Sequence, residues 1–443
     1  MVAVFLRAQL KPFDRARLLW CGSLGEFMLV RSRLFVCMVL SVLLAACGSS
    51  SSGTGGGGGS AGGVGGGAAG GTGGGTAGGS GGGASGGGAG GGAGGGTGGG
   101  AGGGSAGGSG GGSGVGGGTG GGFPDGGATG NTPFIDPDGG TYKGFPIGLY
   151  TNGNQVPAGH RAAGLVRANQ IVPLDTSGNP NANGKYILLS IGYSNATQEF
   201  CNTNGSPTQC ATWTFMGQVA VDPQVKTQGL VVFNGAFSAQ TNLSWDQPSD
   251  SNYTRVAANL SDAGYSENQV QAVWLKIANP NPTVALPAVG ADAYQLTTST
   301  GDIARTLKVR YPNLKLVFVS SRTYAGWAST TLNPEPYAYE GAFAIRWVIE
   351  AQVNQMNGDG GIDARAGNLN YGTVAPWIGW GPYLWTDGLR GRSDGLVWTQ
   401  ADVEADGTHP SQSGETKVGG LLKQFFKTSP VARCWFITDA GCP

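Results

Sequence analysis

The sequence predicts an α/β fold with a doubly wound, mostly parallel central sheet, and two observations carry that expectation. Four apolar, β-rich runs, YILLSIG (186–192), LVVFNGA (230–236), AVWLKIAN (272–279) and LKLVFVSS (314–321), are continuous rather than alternating. Continuous runs suit strands covered on both faces. Segments with helical patterning lie between them, at about 211–221, 250–262 and 290–310, and another follows the fourth run at about 337–356. Strands that alternate with helices build a parallel sheet wrapped on both sides. A weaker fifth run, APWIGWG (375–381), follows, and then a last helix at about 411–427 with apolar Val418, Leu421, Leu422, Phe425 and Phe426. In such folds the reactive groups gather at the carboxyl ends of the strands.

This pattern occupies only the second part of the 443 residues. Residues 123–443 have normal aromatic content and are numerous enough for one sizeable domain. Residues 48–122 hold more than half of the chain's 88 glycines, among scattered Ala, Ser and Thr. Such a tract has nothing to bury against its ordering entropy, so it reads as a disordered linker. A Gly-rich coil of about 75 residues has an r.m.s. span of roughly 45–50 Å. Residues 1–47 read as an export signal. Arg31 and Arg33 make a positive start, Leu34 to Leu44 an apolar stretch too short to span a bilayer, and Leu44-Ala45-Ala46-Cys47 a cleavage site. The length ahead of Met28 suits a true start at Met28. The ending resembles a bacterial lipobox, which implies lipidation of Cys47 and a domain tethered to the cell envelope. Gly48, rather than Asp, after that Cys implies the outer membrane where a cell has two.

Four cysteines remain beyond the signal: Cys201, Cys210, Cys434 and Cys442. An even number in an exported chain reads as disulfides, with the local pairs Cys201–Cys210 and Cys434–Cys442 expected. Zinc is the competing reading, but no CxxC pair or nearby histidine supports it. The formal net charge is +0 and the globular part has no long basic run, which argues against nucleic acid as a partner. GNPNANGKY (178–186) has the wrong glycine spacing for a phosphate loop and precedes a strand.

The segments that follow the strands are where chemistry is expected. Ser194 follows the first run, the loop AFSAQT the second, and Asn279 closes the third. The stretch ADGTHPSQSG (405–414) lies just before the last helix. A serine hydroxyl needs a base within hydrogen-bond reach, and histidine is the usual one. The chain has two. His160 precedes the first strand on an apparent surface helix with no carboxylate nearby, and reads as a solvated helix residue. His409 has Asp406 three residues before it, close enough for the carboxylate to fix its tautomer. An acyl transfer also needs donors aimed at the developing oxyanion. The Ser194 N–H, an N–H of the second loop and the Asn279 amide make such a set, although Asn279 is equally well a turn residue before Pro280 and Ser194 a strand-end cap.

Taken together, IGYSN (191–195), NGAFSAQT (234–241), IANPNP (277–282) and DGTHPS (406–411) resemble, in order, the four blocks of the SGNH (GDSL-type) hydrolases. That resemblance implies a three-layer flavodoxin-like fold and a serine esterase without metal or organic cofactor. It makes Ser194 the nucleophile, His409 the base and then acid, and Asp406 its orienting partner. The oxyanion donors would be Ser194, Ala239 and Asn279, with Gly235 and Asn281 as alternatives. The sequence departs from the family pattern at Tyr193, where an Asp is usual, at Ala239, where a Gly is usual, and in the third block. The expected substrate is a small-molecule or carbohydrate ester, acetyl esters of carbohydrates in particular, taken by a monomer that touches the membrane through its lipid only. Two other readings remain open here: a non-catalytic surface binding module on the same fold, and a lipase, for which no long apolar lid is visible. TLNPEPYAYEGAFAIRWVIEAQ (331–352) and PWIGWGPYLW (376–385) mark a distinct subgroup. The aromatics of the second, Trp377, Trp380, Tyr383 and Trp385, either line a sugar or acyl pocket or pack into the core.

Overall fold

A computed structural model of the chain describes residues 18–20, 27–31, 34–35, 128–136, 140–203, 208–438 and 441. The chain divides into two compact units, Met1–Gly107 and Gly108–Pro443. In the first, Leu18–Trp20, Phe27–Arg31 and Leu34–Phe35 form a three-stranded antiparallel sheet in sequence order. The apolar stretch beyond Phe35, the proposed lipidation site Cys47 and the glycine tract through residue 122 lie outside the described residues.

The second unit is built on five strands: β1 (Tyr186–Gly192), β2 (Leu230–Asn234), β3 (Val270–Lys276), β4 (Leu316–Val319) and β5 (Trp377–Trp380). Their order across the sheet is β2-β1-β3-β4-β5, and every pairing is parallel. This is the flavodoxin-like order, in which the chain steps outward from β1 to β2, returns past β1 to β3 and continues the other way. Right-handed crossovers then place the helices on opposite faces before and after the reversal. Helices α1 (Ala158–Ala168), α2 (Ser194–Phe200), α3 (Phe215–Ala220), α4 (Ser251–Asp262), α5 (Asp292–Arg310), α6 (Tyr337–Asn357) and α7 (Gln412–Thr428) complete the layers. α2 and α3 pack with α7, while α5 packs with α6. The result is a three-layer α/β/α unit, as the alternation of apolar runs and helical segments predicts.

Every residue of β1 and β3 is buried, which is why these runs are continuously apolar. Phe318 of β4 meets Phe425 and Phe426 of α7, and Trp274 of β3 stacks on Phe200 of α2 at 5.5 Å between centroids. Cys201 and Cys210 are joined in a disulfide just after α2. The partner expected for Cys434, Cys442, lies outside the described residues.

Two expectations need correction or closure here. His160 is not a solvated residue of a surface helix: it is 3% exposed, because α1 lies against β5. Its ring stacks on Trp377 at 4.7 Å, its Nε2 pairs with the Ile378 carbonyl at 2.8 Å, and Trp377 Nε1 donates to its own carbonyl. Close approach is permitted by Gly164, where an added Cβ would sit 2.9 Å from the Trp377 ring. The aromatics of 376–385 are likewise core: Trp377, Trp380, Tyr383 and Trp385 are all buried. The three indole N–H groups donate inward, to His160 O, Leu149 O and Glu335 Oε1.

Candidate active site

Reversal of strand order at β1 and β3 opens a crevice at their carboxyl ends, where ligands of such sheets bind. Ser194 stands at that point, as the first residue of α2 directly after β1. The turn depends on Gly192, where a Cβ would run into the Lys276 carbonyl oxygen of the neighbouring strand. As the first helical residue, Ser194 has an N–H with no intrahelical acceptor.

His409 arrives from the far end of the chain, in the loop that leads into α7. That loop is pinned against residues 327–330. Gly407, at φ +64°, sits so close to the Trp327 carbonyl that no side chain fits there. Ser329 donates to the Asp406 carbonyl from its N–H at 2.9 Å and its hydroxyl at 3.1 Å, and the Thr330 and Thr408 hydroxyls meet at 2.6 Å.

Ser194, His409 and Asp406 form one hydrogen-bonded row. Ser194 Oγ lies 2.9 Å from His409 Nε2, and His409 Nδ1 lies 2.6 Å from Asp406 Oδ2. Asp406 Oδ1 accepts the backbone N–H groups of Thr408 and His409 at 2.9 and 3.0 Å. Burial alone would raise the Asp406 carboxyl, but the donors from His409 and Thr408 hold it below the usual carboxylate range. A carboxylate at Nδ1 favours the tautomer that carries its proton there and leaves Nε2 free to accept the serine proton. The His409 and Asp406 side chains remain 24% and 32% exposed, within reach of a substrate.

The oxyanion candidates are placed less uniformly. In the loop after β2, the Gly235 N–H is taken by Ser190 and the Phe237 N–H by the Gly192 carbonyl. Gly235 is therefore occupied. Ala239 is exposed and holds the left-handed conformation, φ +59°, which favours glycine. Asn279 is buried, and its Nδ2 donates to the Asp292 carbonyl at 2.7 Å, which leaves one amide hydrogen for other use. Asn281 accepts the Thr331 hydroxyl at 2.6 Å instead.

Several residues packed around Ser194 escape sequence reasoning. Ser190, Asn234 and Thr197 form a buried chain that ties β1, β2 and α2 together, with links of 2.6 and 2.8 Å. Lys276, at the end of β3, pairs with Glu199 of α2 at 2.5 and 2.6 Å, both fully buried. Burial pushes Lys276 down and Glu199 up, and each opposes the shift of the other. A lysine inside an otherwise apolar run was the readable signal for this pair. Asn195 and Arg322 lie behind Ser194, with nothing in their spacing to announce them.

No family model matches the sequence, and no curated protein matches it. Among solved structures, one similar chain is the salicylyl-acyltransferase SsfX3 from a tetracycline biosynthetic pathway, at 15% identity and a TM-score of 0.32. The match covers 58% of each chain, so this protein spans little more than half of that one's length. Another is a protein from Slackia heliotrinireducens described as an SGNH hydrolase, at 14% identity and a TM-score of 0.27, covering 55% of this chain and 99% of that one. The β2-β1-β3-β4-β5 parallel sheet and its two helical layers make this a three-layer α/β fold of flavodoxin-like strand order, with Ser194 just past the end of β1.

Proposed function

We propose that the protein is a serine esterase that hydrolyses carboxylic esters through an acyl-enzyme. The hydrogen-bonded row Ser194–His409–Asp406 at the carboxyl edge of the sheet supports this reading. His409 Nε2 takes the proton from Ser194 Oγ as the oxygen attacks the ester carbon. The carbonyl oxygen gains the negative charge, met by the N–H groups of Ser194 and Ala239 and the remaining Asn279 amide hydrogen. As the C–O bond breaks, the alcohol leaves with the proton from Nε2. Water repeats the cycle on the acyl-serine and releases the acid, returning the proton to Ser194. Asp406 stays ionised throughout and stabilises the transient imidazolium.

The favoured substrate is a short acyl ester, an acetyl group on a carbohydrate being the expected form. Small and polar residues beside the row support this: Ser329, bonded to the Asp406 carbonyl, and Thr330, bonded to Thr408. The test is hydrolysis of a nitrophenyl ester series by wild type and Ser194→Ala. Faster turnover of acetate than of octanoate, lost in Ser194→Ala, is expected. Equal rates in the two proteins would eliminate the assignment, and preference for octanoate would move the substrate to acyl lipids.

We further propose that the domain is exported, lipidated at Cys47 and tethered to the cell envelope by residues 48–122, on the strength of Leu44-Ala45-Ala46-Cys47 and the glycine tract. Labelled palmitate should enter the wild-type protein and not Cys47→Ala. A wild type without label would sink this part.

A further inference from the structure

Arg322, three residues after β4, is 3% exposed. Its Nη1 lies 3.4 Å from Asn195 Oδ1 and 3.5 Å from the Tyr193 hydroxyl, both at the outer limit of hydrogen bonding. The guanidinium carbon stands 5.6 Å from the Tyr193 ring centre. Its Nε and Nη2 are enclosed and have no hydrogen-bond partner among the described residues. The nearby carboxylates are committed elsewhere. Glu199 is paired with Lys276, and Glu335 accepts the Trp385 indole and the Ala325 and Tyr339 backbone N–H groups. A buried cation without a bonded carboxylate opposes folding, and well-packed apolar replacements of such charges are often neutral or stabilising. Its enclosure also keeps it from touching substrate.

What the guanidinium does face is the residue next to the nucleophile. Asn195 turns Oδ1 toward Arg322 and Ser194 Oγ, and donates from Nδ2 to the Thr408 carbonyl at 2.9 Å. Thr408 immediately precedes His409, so this one buried amide joins α2 to the loop that carries the base. The guanidinium, a donor only, fixes which way the amide points, because the opposite orientation would set Nδ2 against it. Tyr193, at the position where the family pattern has an Asp, is pushed up to about 12 by burial and stays a neutral acceptor.

We infer that Arg322 is a positioning residue, which orients the Asn195 amide and through the Asn195–Thr408 bond sets the spacing between Ser194 Oγ and His409 Nε2. The inference rests on the esterase reading. A misplacement of about 1 Å at a reacting centre costs on the order of 100-fold in rate. In the full chain, Arg322→Met should therefore lower kcat and the rate of fluorophosphonate labelling about 100-fold, with KM within about twofold. Its Tm should equal or exceed that of wild type, which a structural role would not allow. Asn195→Ala should give a similar loss, and the double variant no further loss, because the two act through one bond. Arg322→Lys, which keeps the charge but not the planar fork, should recover part of the rate.

Unchanged kcat in Arg322→Met, a fall in activity that tracks a fall in Tm, or additive losses in the double variant would each overturn the inference. If Arg322→Met does not fold, the positioning reading fails on that ground, and Asn195→Ala still reports whether the clamp sets the rate. A wild type that neither hydrolyses esters nor labels overturns the esterase reading itself. An active wild type with an indifferent Arg322 overturns only this inference.

Discussion

His160 and His409 are the chain's two histidines, and their surroundings differ in kind. His160 is enclosed between α1 and β5, with Nε2 on the Ile378 carbonyl and Nδ1 without a partner among the described residues. A carbonyl fixes the proton on Nε2, and the enclosed Nδ1 has no anion to accompany a second one. Burial accordingly pushes His160 down to about 4. His409 is in a loop, a quarter exposed, with a carboxylate on Nδ1 and a hydroxyl on Nε2. The same ring is enclosed against a carbonyl in one place and bridges a carboxylate and a hydroxyl in the other. What separates them is the charge of the partner and the access to solvent, not their secondary structure alone.

The largest effect should come from His409. His409→Ala should lower kcat/KM at least about 10⁴-fold on a short ester, whereas His160→Gln, which retains a donor toward Ile378, should leave kcat within about twofold. Loss of rate in both variants would erase the functional distinction between them. An intermediate effect should come from Asn279, whose amide is shared with the Asp292 carbonyl. Asn279→Ala should lower kcat by about 10²-fold, as removal of an oxyanion donor does. An unaffected rate would leave only backbone N–H groups to meet the oxyanion.

The remaining effect is on stability rather than rate, and it belongs to His160. Its folded-state value lies below the ordinary 6.5, so the unfolded chain gains a proton first as pH falls. Stability from this group is fully present above about 6.5 and declines toward about 4, by roughly 3 kcal/mol in all. Urea unfolding at pH 7 and pH 4.5 should show a loss in wild type that His160→Gln largely removes. Parallel losses in the two proteins would assign the acid sensitivity elsewhere.

How much of this was legible follows the same division. Strands buried on both faces write themselves as continuous apolar runs, so β1 to β5 were readable from burial alone, with ends shifted by a few residues. β3, for instance, begins at Val270 rather than 272, and β2 ends at Asn234 rather than 236. α2 was not readable, since SNATQEF is short and its burial comes from both sides rather than from one periodic face. His160 read as solvated because its helix looked like a surface one with no carboxylate nearby, while the determinant was small: Gly164 lets the helix approach Trp377. The meeting of Ser194 with His409, 215 residues apart, is a property of the strand order. The ordered blocks foreshadowed it, but no spacing along the chain encodes it. Arg322 was invisible, because its role depends on a buried amide contributed by another strand's helix.

The most direct test is covalent labelling of Ser194. A fluorophosphonate should add once to the wild-type protein, with the adduct on the peptide that holds Ser194. The adduct should be absent in Ser194→Ala, slowed at least about 10³-fold in His409→Ala, and unaffected in His160→Gln. A wild type that takes no label, or His409→Ala labelled as fast as wild type, would contradict the account.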